Sequence, residues 1–293
     1  MNPDGTERLA KVLARRGVAS RRDAETMITE GKVMVDGQVV VHPGHPVHPD
    51  TAVIRVDGKR IAGDQRKIYI LLNKPKGYIT GREDPQGRRS VIELLGALPQ
   101  RVEPVGRLDF NTEGALLLTN DGELAHALTH PSKGVPKRYM AKVYRCPTEA
   151  TIERMEKGVL LEDGKSAPCK VRVVKLTDNE NAWLEITVTE GRNRLVRRLL
   201  AAVGHPVAKL RRESFATITV RGLELGAWRE LTADELGRLR DIATGVPASA
   251  AGRKTRPRKI GFAKPDPAWL EKRLDGQKTG VNRGKLARGR AAR

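Results

Sequence analysis

GRLDFNTEGALLLTNDGELAHAL, residues 106–128, holds in one stretch the elements that set the fold class. ALLLT is an unbroken apolar run of strand length, NDG is a turn signal, and ELAHALTH, at 123–130, has helical character. Strand, turn and helix follow directly, but no regular strand–helix–strand rhythm continues on either side, which argues for an α+β arrangement. The same stretch raises a chemical question. Asp109 stands two residues after Arg107 in an apolar setting, in a chain with 55 Lys and Arg against 35 Asp and Glu. It could cap a helix, pair with an arginine to hold a turn, or act in chemistry; taken alone, the ion pair is the plainest reading. GRLDFNTEG lacks the Lys-Ser/Thr of a phosphate-binding loop. Glu113, four residues on, makes only a weak carboxylate pair with Asp109.

At 293 residues and 32.3 kDa the chain can bury one large core and a smaller second one. Its formal net charge of +20 points to a polyanionic partner, nucleic acid before a membrane surface. No run of 18 apolar residues, secretory leader or lipidation motif is present, so a soluble, unprocessed, cytoplasmic chain is expected. Cys146 and Cys169 are too few for a disulfide framework or a thiolate zinc site. His42, His45 and His48 recur in HPGHPVHP, but the prolines favour an irregular surface loop over a metal site.

Residues 6–62 form the first section. Leu9, Val12 and Leu13 mark one face of a helix that Gly17 stops. Ser20 and Asp23 make a capping box for a second helix ended by Gly31. KVMVDGQVVV reads as a hairpin turning at Asp36-Gly37, and VIRVDGKRI, 53–61, as one more strand. Lys11, Arg15, Arg16, Arg21 and Arg22 crowd the helix junction with no acid between them, a density that favours phosphate contacts over a merely solvated face. GVASRRDAETMITEGKVMVDGQ resembles the S4 RNA-binding domain, which implies binding to folded RNA.

The second section, 67–244, mixes strands (IYILLNK, RYMAKVYR, CKVRVVKL, AWLEITV) with helices (VIELLGAL, EATIERMEKG, NRLVRRLLAAVG). Thr232 and Glu235 cap a last helix. The third section, 252–293, carries 14 Lys and Arg against 3 Asp and Glu without apolar periodicity, and is expected to be disordered and drawn to RNA.

KPKG at 74–77, GRLDFNTEGALLLTNDGELA, KRY at 137–139 and EGRNRLVRRL at 190–199 occur in that order. The set resembles the pseudouridine synthases of the RsuA/RluB group, over nearly all of residues 7–244. EGRNR, HPVAKL and RGLELGAWRELT place it nearest the large-subunit type. The resemblance implies a catalytic domain on a mixed, mostly antiparallel sheet with flanking helices. It implies isomerisation of a uridine to pseudouridine in ribosomal RNA, 23S rRNA or a pre-ribosomal particle, by a monomer with no cofactor, metal or membrane. By motif position Asp109 is the catalytic carboxylate, Arg197 its pairing arginine, and Tyr139 the ring that stacks on the target base. Lys74 and Lys76 are expected at phosphates near the site, with Arg107, Arg192 and Arg194 as further RNA contacts. Leu195 stands where the family usually carries glutamine, which removes one polar contact but no catalytic group. Two alternatives stay open: small-subunit 16S rRNA as substrate, and an RNA-binding assembly factor without activity.

Overall fold

The computed structural model describes residues 4–177 and 180–246; the basic stretch 252–293 lies outside the described residues. At the N-terminal end, helices α1 (Leu9–Arg15) and α2 (Arg21–Thr29) pack on strands β1 (Val33–Val35), β2 (Gln38–Val40), β3 (Ile54–Val56) and β4 (Lys59–Arg60), ordered β2-β1-β3-β4. The Ser20 hydroxyl accepts from Asp23 N, and the Asp23 carboxylate accepts from Ser20 N, so the capping box forms as its spacing suggests. Asp36 and Gly37 take φ of 50° and 87°, the left-handed pair that a two-residue hairpin of right-handed twist needs. Asp57-Gly58 repeats this conformation, so residues 53–61 fold as a second hairpin and not as one strand. The HPGHPVHP segment is not wholly irregular either. Pro46–Val47 pairs with Glu7–Arg8, and Leu9 N donates to His45 O at 2.8 Å. Leu9, Val12, Leu13 and Ile28 close a small apolar core against Val33 and Ile54.

The larger unit is built on a nine-stranded sheet. Its strands are β5 (Tyr69–Lys74), β6 (Glu103–Val105), β7 (Glu113–Thr119), β8 (Lys137–Val143), β9 (Lys170–Leu176), β10 (Ala182–Val188), β11 (Val207–Phe215) and β12 (Trp228–Glu230), with Ile218–Thr219 folded back on β11. The main path runs β9-β10-β8-β11-β7-β5-β12, with β6 beside β7. All pairs are antiparallel except β11 with β7, so the sheet is mixed and mostly antiparallel. Residues 115–118 of β7 are buried on both faces, which is why that strand reads as a continuous apolar run. Leu71 and Leu117 pack with helices α3 (Gly122–Thr129) and α6 (Ala233–Thr244), while Ile70, Leu72, Leu116 and Leu118 pack on the other side with Val91 and Leu95. In β10 burial alternates, with Ala182, Leu184, Ile186 and Val188 inward. They share a core with α4 (Glu149–Glu156) and α5 (Leu195–Ala202). VIELLGAL, expected as an α-helix, makes only a five-residue 3-10 turn, Val91–Leu95, because Gly96 leaves the helical region at φ 66°.

Candidate active site

The turn between β6 and β7, residues 106–112, carries Asp109 just ahead of the point where β7 pairs with β11. Its backbone is fastened from several sides. Thr112 N donates to Asp109 O and Gly77 N to Phe110 O, both at 3.0 Å. Thr80 Oγ1 donates to Leu108 O at 2.7 Å. From below, Lys74 Nζ donates to Asp109 O at 3.1 Å, Thr112 O at 3.0 Å and Pro75 O at 3.0 Å. Lys74 is 0% exposed, so the expectation that it touches phosphate is corrected: its ammonium is a structural donor to the carbonyls of the turn. Burial pushes it down to about 8 against the opposing pull of Asp109 and Glu113. Lys76 stays half-buried, 3.9 Å from Glu113.

Asp109 Oδ2 lies 3.7 Å from Arg197 Nε and 3.6 Å from Arg194 Nη1. Both arginines come from α5 and its N-cap. Arg194 takes φ 49°, a left-handed conformation that turns the chain into the helix. Arg197 also donates through Nη2 to Asn111 O at 3.2 Å, so it braces the turn as well as facing the carboxylate. Burial, then Arg194, weakens its hold on its proton, and Asp109 offsets only part of this. Arg197 itself is not among the residues that line the cavity. The cavity is about 150 Å³ and is lined by Asp109, Tyr139, Lys137, Arg194, Leu195 and Arg212, among others. A cavity of roughly that volume accepts a benzene-sized ring. Leu195 is 6% exposed and belongs to the apolar core, which fits a wall that makes no polar contact there.

Tyr139 faces Arg212 across the β8–β11 pair and Ile186 across the β8–β10 pair. Gly114 lets β7 lie close against the Arg212 backbone of β11. At φ 110° its added Cβ would overlap the Arg212 carbonyl oxygen on the parallel neighbour. Arg212 is 2% exposed, with Nε donating to Ala115 O at 2.7 Å. Neither Lys137 nor Arg212 was singled out by the sequence, although Lys137 opens the KRY motif. A strand arginine whose neighbours are fixed by register leaves no local signal.

The expected RNA contacts divide. Arg107 is exposed and lines the cavity, and Arg194 is half-exposed beside Asp109. Arg192 is instead tied to the tight turn 162–165. It bonds Asp163, and it donates to Gly164 O at 2.8 Å and Lys165 O at 3.1 Å. In the N-terminal unit Arg15 meets Glu7 and Asp64, Lys11 meets Glu7 at 3.2 Å and Glu123 at 3.3 Å, and Arg16 Nη2 donates to Pro49 O. Arg21 and Arg22 remain exposed. The cluster has no acid in its own sequence, yet acids from residues 7, 64 and 123 reach it in space.

A family model for RNA pseudouridylate synthases matches residues 68–202, and one for the S4 domain matches residues 7–53. A "Ribosomal large subunit pseudouridine synthase B" of Bacillus subtilis (strain 168) is 45% identical, over 81% of this chain and 97% of the relative. An "Uncharacterized RNA pseudouridine synthase" of Aquifex aeolicus is 48% identical over 79% of this chain and 93% of the relative. The solved structure titled "Crystal structure of pseudouridylate synthase" superposes with a TM-score of 0.57 at 27% identity, covering 79% of this chain and 99% of that one.

Proposed function

The chain belongs to the RNA pseudouridylate synthase family and carries an S4 domain; from that premise we propose that it isomerises one uridine of 23S ribosomal RNA, with Asp109 as the acting carboxylate. The observation that carries this is the Asp109 carboxylate, held on a braced turn between Arg194 and Arg197 at a ring-sized cavity. When the base leaves C1′, the ribose carbon becomes electron-poor, and a fixed carboxylate beside it stabilises or attacks it. Tyr139 offers its face to the extruded base, which must leave its stack to be reached. Arg197 holds both the charge and the turn. The choice of large-subunit RNA rests on relatives bearing that name. Residues 6–62 serve docking, and residues 67–244 the chemistry, in a monomer working in the cytoplasm.

The test is single-turnover conversion of 23S rRNA fragments by wild type and Asp109→Asn, with RNA affinity and thermal unfolding measured on the same samples. Asn keeps the shape and removes the charge. Conversion should fall by at least about 1,000-fold, with RNA affinity unchanged or slightly higher. A folded variant that converts uridine at the wild-type rate would return Asp109 to a purely structural role. Pseudouridine mapped in 16S RNA alone would move the substrate to the small subunit.

A further inference from the structure

Lys137 is a cation with no acid beside it. It opens β8, and its Nζ donates to Val135 O at 2.9 Å and to Thr189 O at 3.1 Å. An ammonium has three N–H groups, so one remains. Among the described residues no carboxylate pairs with it; the charge acting on it is a second cation, Arg212. Both lie against one ring, Lys137 Nζ at 5.7 Å and the Arg212 guanidinium at 5.2 Å from the Phe215 centroid. Arg212 Nη2 is buried without a hydrogen-bond partner.

The register explains how these groups meet. Lys137 pairs with Phe215, Arg138 with Ser214, and Tyr139 with Arg212, so Glu213 is an extra residue on β11. Without that bulge Arg212 and Phe215, three apart, would face opposite sides. With it, Lys137, Tyr139, Arg212 and Phe215 share the face that lines the cavity holding Asp109. Asp109 and Glu190 line the same cavity, but among the described residues no carboxylate comes within ion-pair distance of Lys137 or Arg212, so an electron-rich group arriving there would be favoured. Backbone phosphates run along the RNA exterior, whereas this half-open cavity is ring-sized and lined in part by apolar side chains. A carbonyl edge of the base fits it.

We propose that Lys137 is a further catalytic residue, whose remaining N–H meets a carbonyl oxygen of the target pyrimidine and takes up the negative charge left on the base as its bond to ribose breaks. The N1–C1′ electron pair departs with the ring and is shared with its carbonyl oxygens. A pair from the same ring forms C5–C1′, and the proton lost at C5 is balanced by the one gained at N1. No outside reactant enters. The proposal rests on the reading of the reaction above.

The test uses the full chain and 23S rRNA fragments carrying uridine, 2-thiouridine or 4-thiouridine at the position the wild-type protein modifies. Lys137→Met should slow single-turnover conversion of uridine about 100-fold, the size expected for removing one donor to a developing anion, with RNA affinity within about twofold. Sulfur, a poor acceptor, should slow the wild type at one of the two positions and leave Lys137→Met no slower still, a non-additive cycle. Equal sulfur effects on both proteins would overturn the contact, and so would an unchanged rate. A loss confined to affinity, with a shallower salt dependence, would make Lys137 a phosphate contact instead. If Lys137→Met does not fold, Lys137→Arg decides, because a displaced donor must change the ratio of oxygen to sulfur rates; an unchanged ratio overturns the proposal. A wild type that converts no uridine would count against the reaction, not against Lys137 alone.

Discussion

The ammonium of Lys74 does inside the protein what water does outside: it satisfies the carbonyls of the turn that presents Asp109. On the proposed reading, the geometry of the site therefore depends on a fully buried side chain. Lys74→Met keeps the length and apolar stem but takes this donor from the Pro75 and Thr112 carbonyls, while Asp109 O keeps Thr112 N. Each such buried group costs roughly 1–3 kcal/mol, and relaxation recovers part of it, so a loss on the order of 3 kcal/mol is expected. A urea titration reads it as a lower midpoint at constant slope. Conversion should fall with RNA affinity intact, since the turn loosens while the RNA-binding surface stays. A variant as stable as wild type would show that the turn holds without the ammonium.

At the scale of elements, α1 and α2 divide a basic cluster that looks uniform in sequence. Arg15 and Arg16 bind Glu7, Asp64 and Pro49 O, tying the helix to the chain that leaves the domain. Arg21 and Arg22 begin α2 and stay exposed. Replacing Arg21 and Arg22 with Ala should weaken RNA binding and flatten its salt dependence by about one unit for each phosphate no longer neutralised, with melting temperature unchanged. Replacing Arg15 and Arg16 should chiefly lower the melting temperature. Salt-titrated binding and thermal unfolding on the two double variants separate these outcomes; the reverse pattern would invert the assignment.

At the scale of the whole molecule, charge is placed unevenly. Residues 252–293 hold +11 of the net +20 and leave +9 for the rest. Both parts are net positive, which favours a polyanion, and the cavity lies in the second. Cutting after Ala251 should reduce RNA affinity most at low salt, with a shallower dependence on salt concentration, and leave conversion at saturating RNA unchanged. Filter binding across a salt series, paired with single-turnover assays, checks both. A slower rate at saturation would place part of that segment in the reaction. No helix among the described residues is long and apolar enough to cross a membrane.

The sequence by itself determined whatever depends on neighbours along the chain. The caps at Ser20 and Thr232, the Asp36-Gly37 hairpin, the alternation in β10 and the ordered motifs around Asp109, Tyr139 and Arg197 are all written within a few residues. The α+β class followed from them. Only the tertiary structure decided which charges face solvent. Lys74 is buried because residues 109–112, far along the chain, close over it. Arg192 is held by Asp163, and Arg15 by Glu7 and Asp64. Lys137 and Arg212 share one face of the sheet because a bulge at Glu213 shifts the register of β11. A charge carries the same local signal whether water, a carbonyl or a substrate will satisfy it; that partner is chosen by the packing of segments distant in sequence.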